Sequence, residues 1–314
     1  MDLGVHLPLA DLGEGTPKVD DLRDYVRTAR ELGYAAVSAN DHLVWRRPWL
    51  DGPTALAAVV GETGPMTLAT SIALPVVRHP VTVAKSLSSL ASLTQSRVIG
   101  GLGPGSSEAD YDIVGVPFSE RWARFDEAMS VVHDLVRGEA TSGGRFYGPA
   151  GPLAPVREPP PEVWFGSWGS DRRLAALSSV ADGWFASAYN ATPAEYAAAR
   201  TRLDGHLAAA GRDSTTFPDA IATAWALVTD DSRERERVLH DLLGPLLGRD
   251  PEALGHLPIG TPAQCAEALA AYAEAGASLV LLWPLRDARA QLERLMEARS
   301  SWTSVKTTRP LFLG

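Results

Sequence analysis

The 314-residue sequence predicts an α/β protein, a single (β/α)8 TIM barrel with insertions spanning residues 1–314. Three observations predict it. Short β-rich apolar runs alternate from end to end with segments whose apolar residues recur at helical spacing, the pattern of parallel strand–helix units. Eight such strands, each followed by at least one helix, match that barrel's count and size. A doubly wound sheet would carry a glycine-rich dinucleotide turn directly after its first strand, and HLPLADLGEGTP lacks the spacing to the following helix.

Taken in order, the first strand is read at Leu3 to Leu9 and its helix at Val19 to Leu32, ended by Gly33. The second strand is Ala35 to Ala39, followed by a short helix from Pro53 to Gly61. Met66 to Ala73, MTLATSIA, is the third strand, and Pro80 opens its helix to Leu93, where a missing amide hydrogen costs nothing. Val81, Ala84, Leu87, Leu90 and Ala91 give that helix one apolar face. The fourth strand is Arg97 to Leu102, with a helix from Ser119 to Arg137 after a polar loop. Residues 138–161, GEATSGGRFYGPAGPLAPVREPPP, are rich in Gly and Pro and read as an irregular insertion, a functional lid or an interface. Val163 to Phe165 is the fifth strand with a helix from Asp171 to Val180, and Gly183 to Ala186 the sixth with a helix from Pro193 to Ala210. Ile221 to Val228 is the seventh, followed by helical segments through 275. Leu279 to Trp283 is the eighth, closed by a helix from Ala288 to Ser300.

Composition removes several classes of function. With 29 Lys and Arg against 38 Asp and Glu, the net charge of −9 leaves no basic surface for nucleic acid. The single cysteine, Cys265, excludes an intrachain disulfide and a multi-cysteine metal site, and its Ala-rich helix makes it a small buried residue. No dense His/Asp cluster, HExxH or nucleophile elbow points to a metal or a hydrolase. No run approaches the roughly 20 apolar residues of a membrane span, and MDLGVHLPLADLG lacks the features of a signal peptide. The expected location is cytoplasmic, with no membrane partner.

Parallel barrels place their chemistry beyond the C-terminal ends of the strands. The second strand runs into Asn40, Asp41 and His42, which serve either as turn caps and solvated loop residues or as a histidine oriented by a carboxylate at the barrel mouth. Trp45 follows closely enough to stack on a planar ring. The third strand ends at Ser71-Ile72, and the fourth in a loop with Gly103, Gly105, Ser106, Ser107 and Glu108. After the fifth strand, Gly166, Ser167, Gly169 and Ser170 precede a helix whose free amides suit a phosphate, although Ser170 is equally a plain N-cap. Trp168 and Trp283 lie at strand ends and, with Trp45, are expected to wall an apolar pocket.

The stretches ARELGYAAVSANDHL, LATSIALPVVRHPVTVAKSLSSL, RVIGGLGPGSSEADYDIVGVPFSERWARFDEAM, PEVWFGSWGSDRRLAALSSVADGWF and GTPAQCAEALAAYAEAGASLVLLWP together resemble the bacterial luciferase-like oxidoreductases. That family builds (β/α)8 barrels around FMN or the deazaflavin coenzyme F420. The resemblance implies an F420-dependent oxidoreductase that moves a hydride between the deazaflavin and a small, partly apolar substrate. An FMN-dependent monooxygenase and a non-catalytic flavin-binding barrel are the alternatives. It implies that Asp41 and His42 lie beside the deazaflavin, with His42 in proton transfer and Glu108 as a second acid. Ser71-Ile72 matches a non-proline cis peptide beneath the ring. The loop through Gly103, Gly105 and Ser106 approaches the cofactor tail, and Gly166 to Ser170 matches the phosphate turn. A homodimer is also implied. Sugar-phosphate dehydrogenases of this branch carry a glutamate directly after the glycine loop. Ser106 stands there instead, so a sugar phosphate is not expected.

Overall fold

The structure, a computed structural model, describes residues 1–300; the last fourteen residues of the predicted domain, 301–314, lie outside the described residues. Nine strands form in chain order: β1 (Asp2–His6), β2 (Ala36–Ala39), β3 (Thr67–Ala73), β4 (Val98–Leu102), β5 (Glu162–Gly166), β6 (Gly183–Ser187), β7 (Asp219–Val228), β8 (Ile259–Gly260) and β9 (Leu279–Pro284). Eight of them pair in parallel, β1 to β7 in sequence and then β9, which returns to β1 and closes the barrel. The two-residue β8 pairs only with Leu227 and Val228 at the far end of β7, so it adds a strand without entering the ring. The protein is a (β/α)8 barrel.

Strands buried on both faces need continuous apolar runs rather than alternation, and β1, β2, β4 and β9 are buried at every position. Ala36, Ala69, Ile99, Trp164, Phe185, Ala220 and Leu281 pack together as a second, separate cluster of the core. Gly101 in β4 makes room there, because a Cβ at that position would overlap the Thr70 carbonyl and the Phe185 ring. Helices cover the outside, each with one apolar face. Val19–Glu31, for example, buries Leu22, Tyr25, Val26 and Ala29. Thr192 and Thr261 start their helices with capping boxes to Glu195 and Gln264.

Two expectations change. The first strand stops at His6 rather than Leu9: the Leu7 amide still donates to the Ser38 carbonyl of β2, but the Leu9 amide donates to the Leu7 carbonyl instead of to a strand. Between 229 and 275 the expected helical segments form, including a π-helical turn at Val238–Leu243 and the helix Pro262–Glu274, but the strand β8 at Ile259–Gly260, which the sequence reading did not include, interrupts them. The insertion at 138–161 is anchored by hydrogen bonds near both of its ends. The Glu127 carboxylate accepts the backbone amides of Arg145, Phe146 and Tyr147 at 2.8–3.1 Å, which pins the start of the segment to the helix Arg121–Val136. Arg157 then donates to the carbonyls of Ser96 (2.7 Å) and Gln95 (2.9 Å), just before β4 begins. The segment is thus a brace from one outer helix to the N-terminal end of the barrel.

Cys265 is buried with its thiol near the Gly260 and Leu227 carbonyls, and burial pushes its pKa up to about 12, so it is a packed, unreactive residue. Among the described residues no helix is long and apolar enough to cross a membrane, and no group of His, Cys, Asp and Glu is placed to hold a metal.

Candidate active site

A cavity of about 460 Å³ opens beyond the C-terminal ends of the strands. Its walls come from almost every strand end: Asn40 to His42 after β2, Ser71 and Ile72 in β3, Gly105 and Ser106 after β4, Gly166 to Trp168 and Ser170 after β5, Ser187 at the end of β6, and Thr223 in β7. Arg121, Trp122 and Arg173 reach in from the surrounding helices. No residue of the 138–161 brace lines it.

The floor is set by β3. Its Ser71–Ile72 peptide is cis, and the pairing with β4 shifts register there, so that Ser71 faces Gly101 while Ala73 already faces Leu102. Ile72 therefore bulges toward the cavity. Its side chain takes the space beside two glycines. A Cβ on Gly103 would overlap Ile72 Cδ1, and one on Gly166 would stand 2.7 Å from Ile72 Cγ2. Gly103 thus supports the ridge from behind without lining the cavity. Gly105, at φ 75°, lines it in a conformation that favours glycine.

His42 Nδ1 lies 2.8 Å from Asp110 Oδ2. The other oxygen of Asp110 accepts the backbone amides of Leu43 (2.8 Å) and Val44 (2.9 Å). Asp110 is completely buried, in the short helix Glu108–Asp112 that follows the glycine loop. A carboxylate can only accept, so it fixes the proton on Nδ1 and leaves Nε2 without a protein partner. Trp45 and Trp49 hold the imidazole, with ring centroids at 4.1 and 5.0 Å.

Asp41 is engaged elsewhere. Arg78, from the short helix Pro75–Arg78, grips both of its oxygens at 2.6 Å and also bonds Asp51. Burial alone would lower the pKa of this guanidinium, but the hydrogen bonds and charges of the two carboxylates outweigh it and raise it. The Leu74 backbone amide donates to Asp41 Oδ2 at 3.3 Å, which ties the β2 loop to the end of β3. The carboxylate that orients His42 is therefore Asp110, and the chain neighbour Asp41 is a strut.

Asn40 is fixed from beneath. Its backbone amide donates to His6 Nε2 at 2.9 Å, while His6 Nδ1 donates to the Leu7 carbonyl at 2.6 Å. Complete burial drives the His6 pKa down from 6.5 to about 3, so the ring is neutral. Its other face stacks on Trp283 at 3.6 Å, and Trp283 stacks in turn on Trp225 at 4.0 Å.

The remaining expectations sort as follows. Glu108 is exposed at the head of its helix and does not line the cavity; two residues further on, the helix turns Asp110 inward. Trp283 is core, and Trp45 buttresses His42 without reaching the cavity wall; of the three tryptophans only Trp168, well exposed at the rim, lines it. Ser167, Ser170 and Gly166 are at the wall, whereas Gly169, at φ 89°, lies just behind with its position packed on Ala199. Ser170 caps the helix Asp171–Val180 with no side-chain bond, which leaves its first amides free. The sequence reading did not single out Asp110, Arg121, Arg173, Ser187 or Thr223. The buried pair Asp110-Tyr111 inside the acidic run EADYD carries no signal that distinguishes Asp110 from Glu108 or Asp112.

Two buried polar atoms in the wall, Asn40 Oδ1 and Ser71 Oγ, have no hydrogen-bond partner. Such atoms are costly unless a ligand completes them. Arg121 stacks on Phe118 and has no ion-pair partner among the described residues, and Arg173 over Trp122 is paired only with the half-exposed Asp126. The wall is apolar around a ridge, with orphaned acceptors beside it and positive charge at one side.

A sequence profile of luciferase-like monooxygenases matches residues 1–256. The chain belongs to that family. It is 33% identical over 227 residues to an F420-dependent hydroxymycolic acid dehydrogenase of Mycobacterium tuberculosis, a match covering 68% of this chain and 61% of that enzyme. It is 35% identical over 136 residues to an F420-dependent glucose-6-phosphate dehydrogenase of Kribbella flavida, covering 40% and 41% of the two chains. In these matches the chain spans less than two thirds of the length of each relative, 61% and 41%. Among solved structures, a monooxygenase from Streptomyces bottropensis superposes with a TM-score of 0.80 at 19% identity, covering 96% of this chain and 99% of that one. An F420-dependent secondary alcohol dehydrogenase holding an F420–acetone adduct superposes at 0.78 and 17% identity with the same coverage. At these identities the structures speak for the fold.

Proposed function

We propose that the protein is an F420-dependent oxidoreductase that transfers a hydride between the deazaflavin and a small, partly apolar organic substrate. The observation that carries the reading is the Asp110–His42 pair at the wall of a cavity whose floor is the Ile72 ridge. The cavity sets a proton-transfer group beside a ridge able to bear a planar ring, and orientation and electrostatics of that kind are what a protein supplies to hydride chemistry on a bound coenzyme. The relatives named as F420-dependent, at 33% and 35% identity, support the deazaflavin over FMN.

The residues present fit such a group. Ser71 and Ile72 would bear the ring system, and Asn40 Oδ1 and Ser71 Oγ offer polar atoms that nothing in the protein satisfies. Ser167 and Ser170, the free amides that open the helix Asp171–Val180, and Arg121 would take the anionic tail. When bound, the deazaflavin supplies the hydride acceptor or donor. His42 handles the proton: with Nδ1–H held by Asp110, Nε2 accepts the hydroxyl proton of an alcohol or, in the opposite direction, returns it to the oxygen of a reduced carbonyl. The Asp110 carboxylate stabilises the imidazolium formed between. Trp45, Trp49 and Trp122 keep the surroundings apolar and so strengthen these charge interactions.

Titrating purified protein separately with F420 and with FMN, following coenzyme fluorescence and co-elution, tests the reading. Binding of F420 in the micromolar range or tighter, with FMN much weaker, is expected. Tight FMN binding without F420 binding overturns it.

A further inference from the structure

Across the barrel from the β2 and β3 ends that carry His42 and Ile72, the β6–β7 edge holds a backbone irregularity that the chemistry above does not use. Strand β7 pairs Ile221 with Val280 and Ala224 with Leu282, so three residue steps on β7 match two on β9 and one residue bulges. The bulge puts Thr223 at φ 55°. A β-branched residue in that region is a genuine outlier, and glycine, asparagine or aspartate would occupy it with less strain. The threonine side chain lines the cavity, and its hydroxyl lies 2.8 Å from Ser187 Oγ at the end of β6.

Behind this pair runs a chain of donors. Arg249 donates to Asn190 Oδ1, and Asn190 Nδ2 donates to Ser187 Oγ at 3.0 Å. Ser187 Oγ accepts that bond, and Thr223 donates its single proton to the carbonyl of its own neighbour, Ala222, at 2.7 Å. With its own proton so engaged, Thr223 Oγ1 takes the Ser187 proton across the 2.8 Å contact and keeps one acceptor lone pair. The end of the chain is a neutral hydroxyl oxygen with acceptor capacity left, held by a strained backbone in front of the space across from His42.

We propose that Thr223, backed by Ser187, is a substrate-recognition site for a second, uncharged oxygen function, a hydroxyl at the end of the substrate away from the reacting carbon. A neutral acceptor of this kind matches the O–H of an uncharged hydroxyl. An anionic end would call for the charged groups that the structure keeps at the other side, at Arg121 and Arg173. The site rests on the oxidoreductase reading only for which end of the substrate reacts. It defines a substrate oxygenated at both ends with an apolar middle.

Cyclohexanol and cyclohexane-1,4-diol, of nearly equal size, are the probes, and quenching of tryptophan fluorescence (Trp168 stands at the cavity rim) reads their binding to the full chain, with and without saturating F420. The diol is expected to bind about tenfold more tightly than the mono-alcohol, the worth of one good hydrogen bond. That preference is expected to vanish in Thr223→Val and in Ser187→Ala, while F420 affinity stays within twofold. Ser187→Ala keeps the test open should Thr223→Val fold poorly. Equal binding of the two probes to the unaltered protein, or a preference that survives both substitutions, overturns the proposal. So does a tenfold loss of F420 affinity in the variants, which would make the hydroxyls coenzyme contacts. Failure of the unaltered protein to bind F420 would remove the oxidoreductase reading but leave the probe preference measurable.

Discussion

Acid should destabilise this protein through one buried ring. His6 is fully enclosed between Trp283 and the β2 end, with Nδ1 donating to the Leu7 carbonyl and Nε2 accepting the Asn40 amide. Protonating Nε2 would set a hydrogen against the Asn40 N–H. The folded-state pKa is lowered from 6.5 to about 3. Above pH 6.5 neither the folded nor the unfolded chain carries this proton, and the native contacts count in full. As pH falls below 6.5 the unfolded chain takes up a proton that the folded chain refuses, so stability falls by about 1.4 kcal/mol per pH unit until the folded ring titrates near 3. At pH 5 the loss is about 2 kcal/mol, a sizeable part of the roughly 5–15 kcal/mol that holds a typical domain together. Urea unfolding of the wild-type chain and of His6→Gln at pH 7.5, 6 and 5 reads the effect. Glutamine is less stable at neutral pH because the ring stacking is gone. The gap between the two proteins should nonetheless shrink by about 2 kcal/mol on going to pH 5. Parallel pH profiles for the two would refute the argument, since His6 would then bind its proton equally in both states.

Three further outcomes are expected. Asp110→Asn should lower turnover with F420 by about 10²–10³-fold, the scale of a general acid–base group, because the amide can present a hydrogen to His42 Nδ1; F420 affinity should stay within twofold, and unaltered turnover would take the pair out of the mechanism. Gly103→Ala should cost about 1–3 kcal/mol of unfolding free energy by forcing a methyl onto Ile72 Cδ1, and Ile72→Val, which lacks that atom, should recover much of it; additive effects in the double-mutant cycle would contradict the packing argument. Glu127→Ala removes the acceptor for three backbone amides of the brace, so trypsin should cut at Arg145 or Arg157 several-fold faster than in the wild type, with no change in F420 affinity; equal cleavage rates would show that the brace is held by other contacts.

The barrel was legible because its physics is local. Strands buried on both sides must be continuous apolar runs, and VIGGL, GWFAS and LVLLWP are such runs. The helices between them carry caps and a single apolar face, which sequence spacing displays directly. The site was legible in outline for the same reason, since any residue just past a strand end in this fold stands at the mouth. That rule alone places His42, Ile72, Ser106 and Ser167 at one cavity. It misplaces Trp283, because a strand-end tryptophan turned outward is core, and the direction of the turn depends on a partner as distant in sequence as His6.

What the sequence hid is how its carboxylates are shared. Asp41, Glu108 and Asp110 are all acids beside strand ends, and proximity along the chain favours Asp41 as the partner of His42. The outcome is set by a competitor, Arg78, which occupies both Asp41 oxygens from a helix that forms only because Leu74-Pro75 breaks the strand. With Asp41 neutralised, the backbone of Leu43 and Val44 turns its amides toward the loop after β4, and an acid 68 positions from His42 fills the vacancy. Glu108 stays outside the cavity for a geometric reason. It is the first residue of its helix and points outward, and two steps along a helix swing a side chain about 200°, which carries Asp110 to the inner face. The proton chemistry of the site therefore depends on an arginine that touches no reacting group. Arg78→Leu makes this measurable: Asp41 would be left buried without its cation, the β2 loop would shift, and turnover should fall at least tenfold even though His42 and Asp110 are untouched. Turnover equal to the wild type in that variant would mean that the His42–Asp110 geometry is held by the two backbone amides alone, and that Asp41 and Arg78 serve only the stability of the barrel.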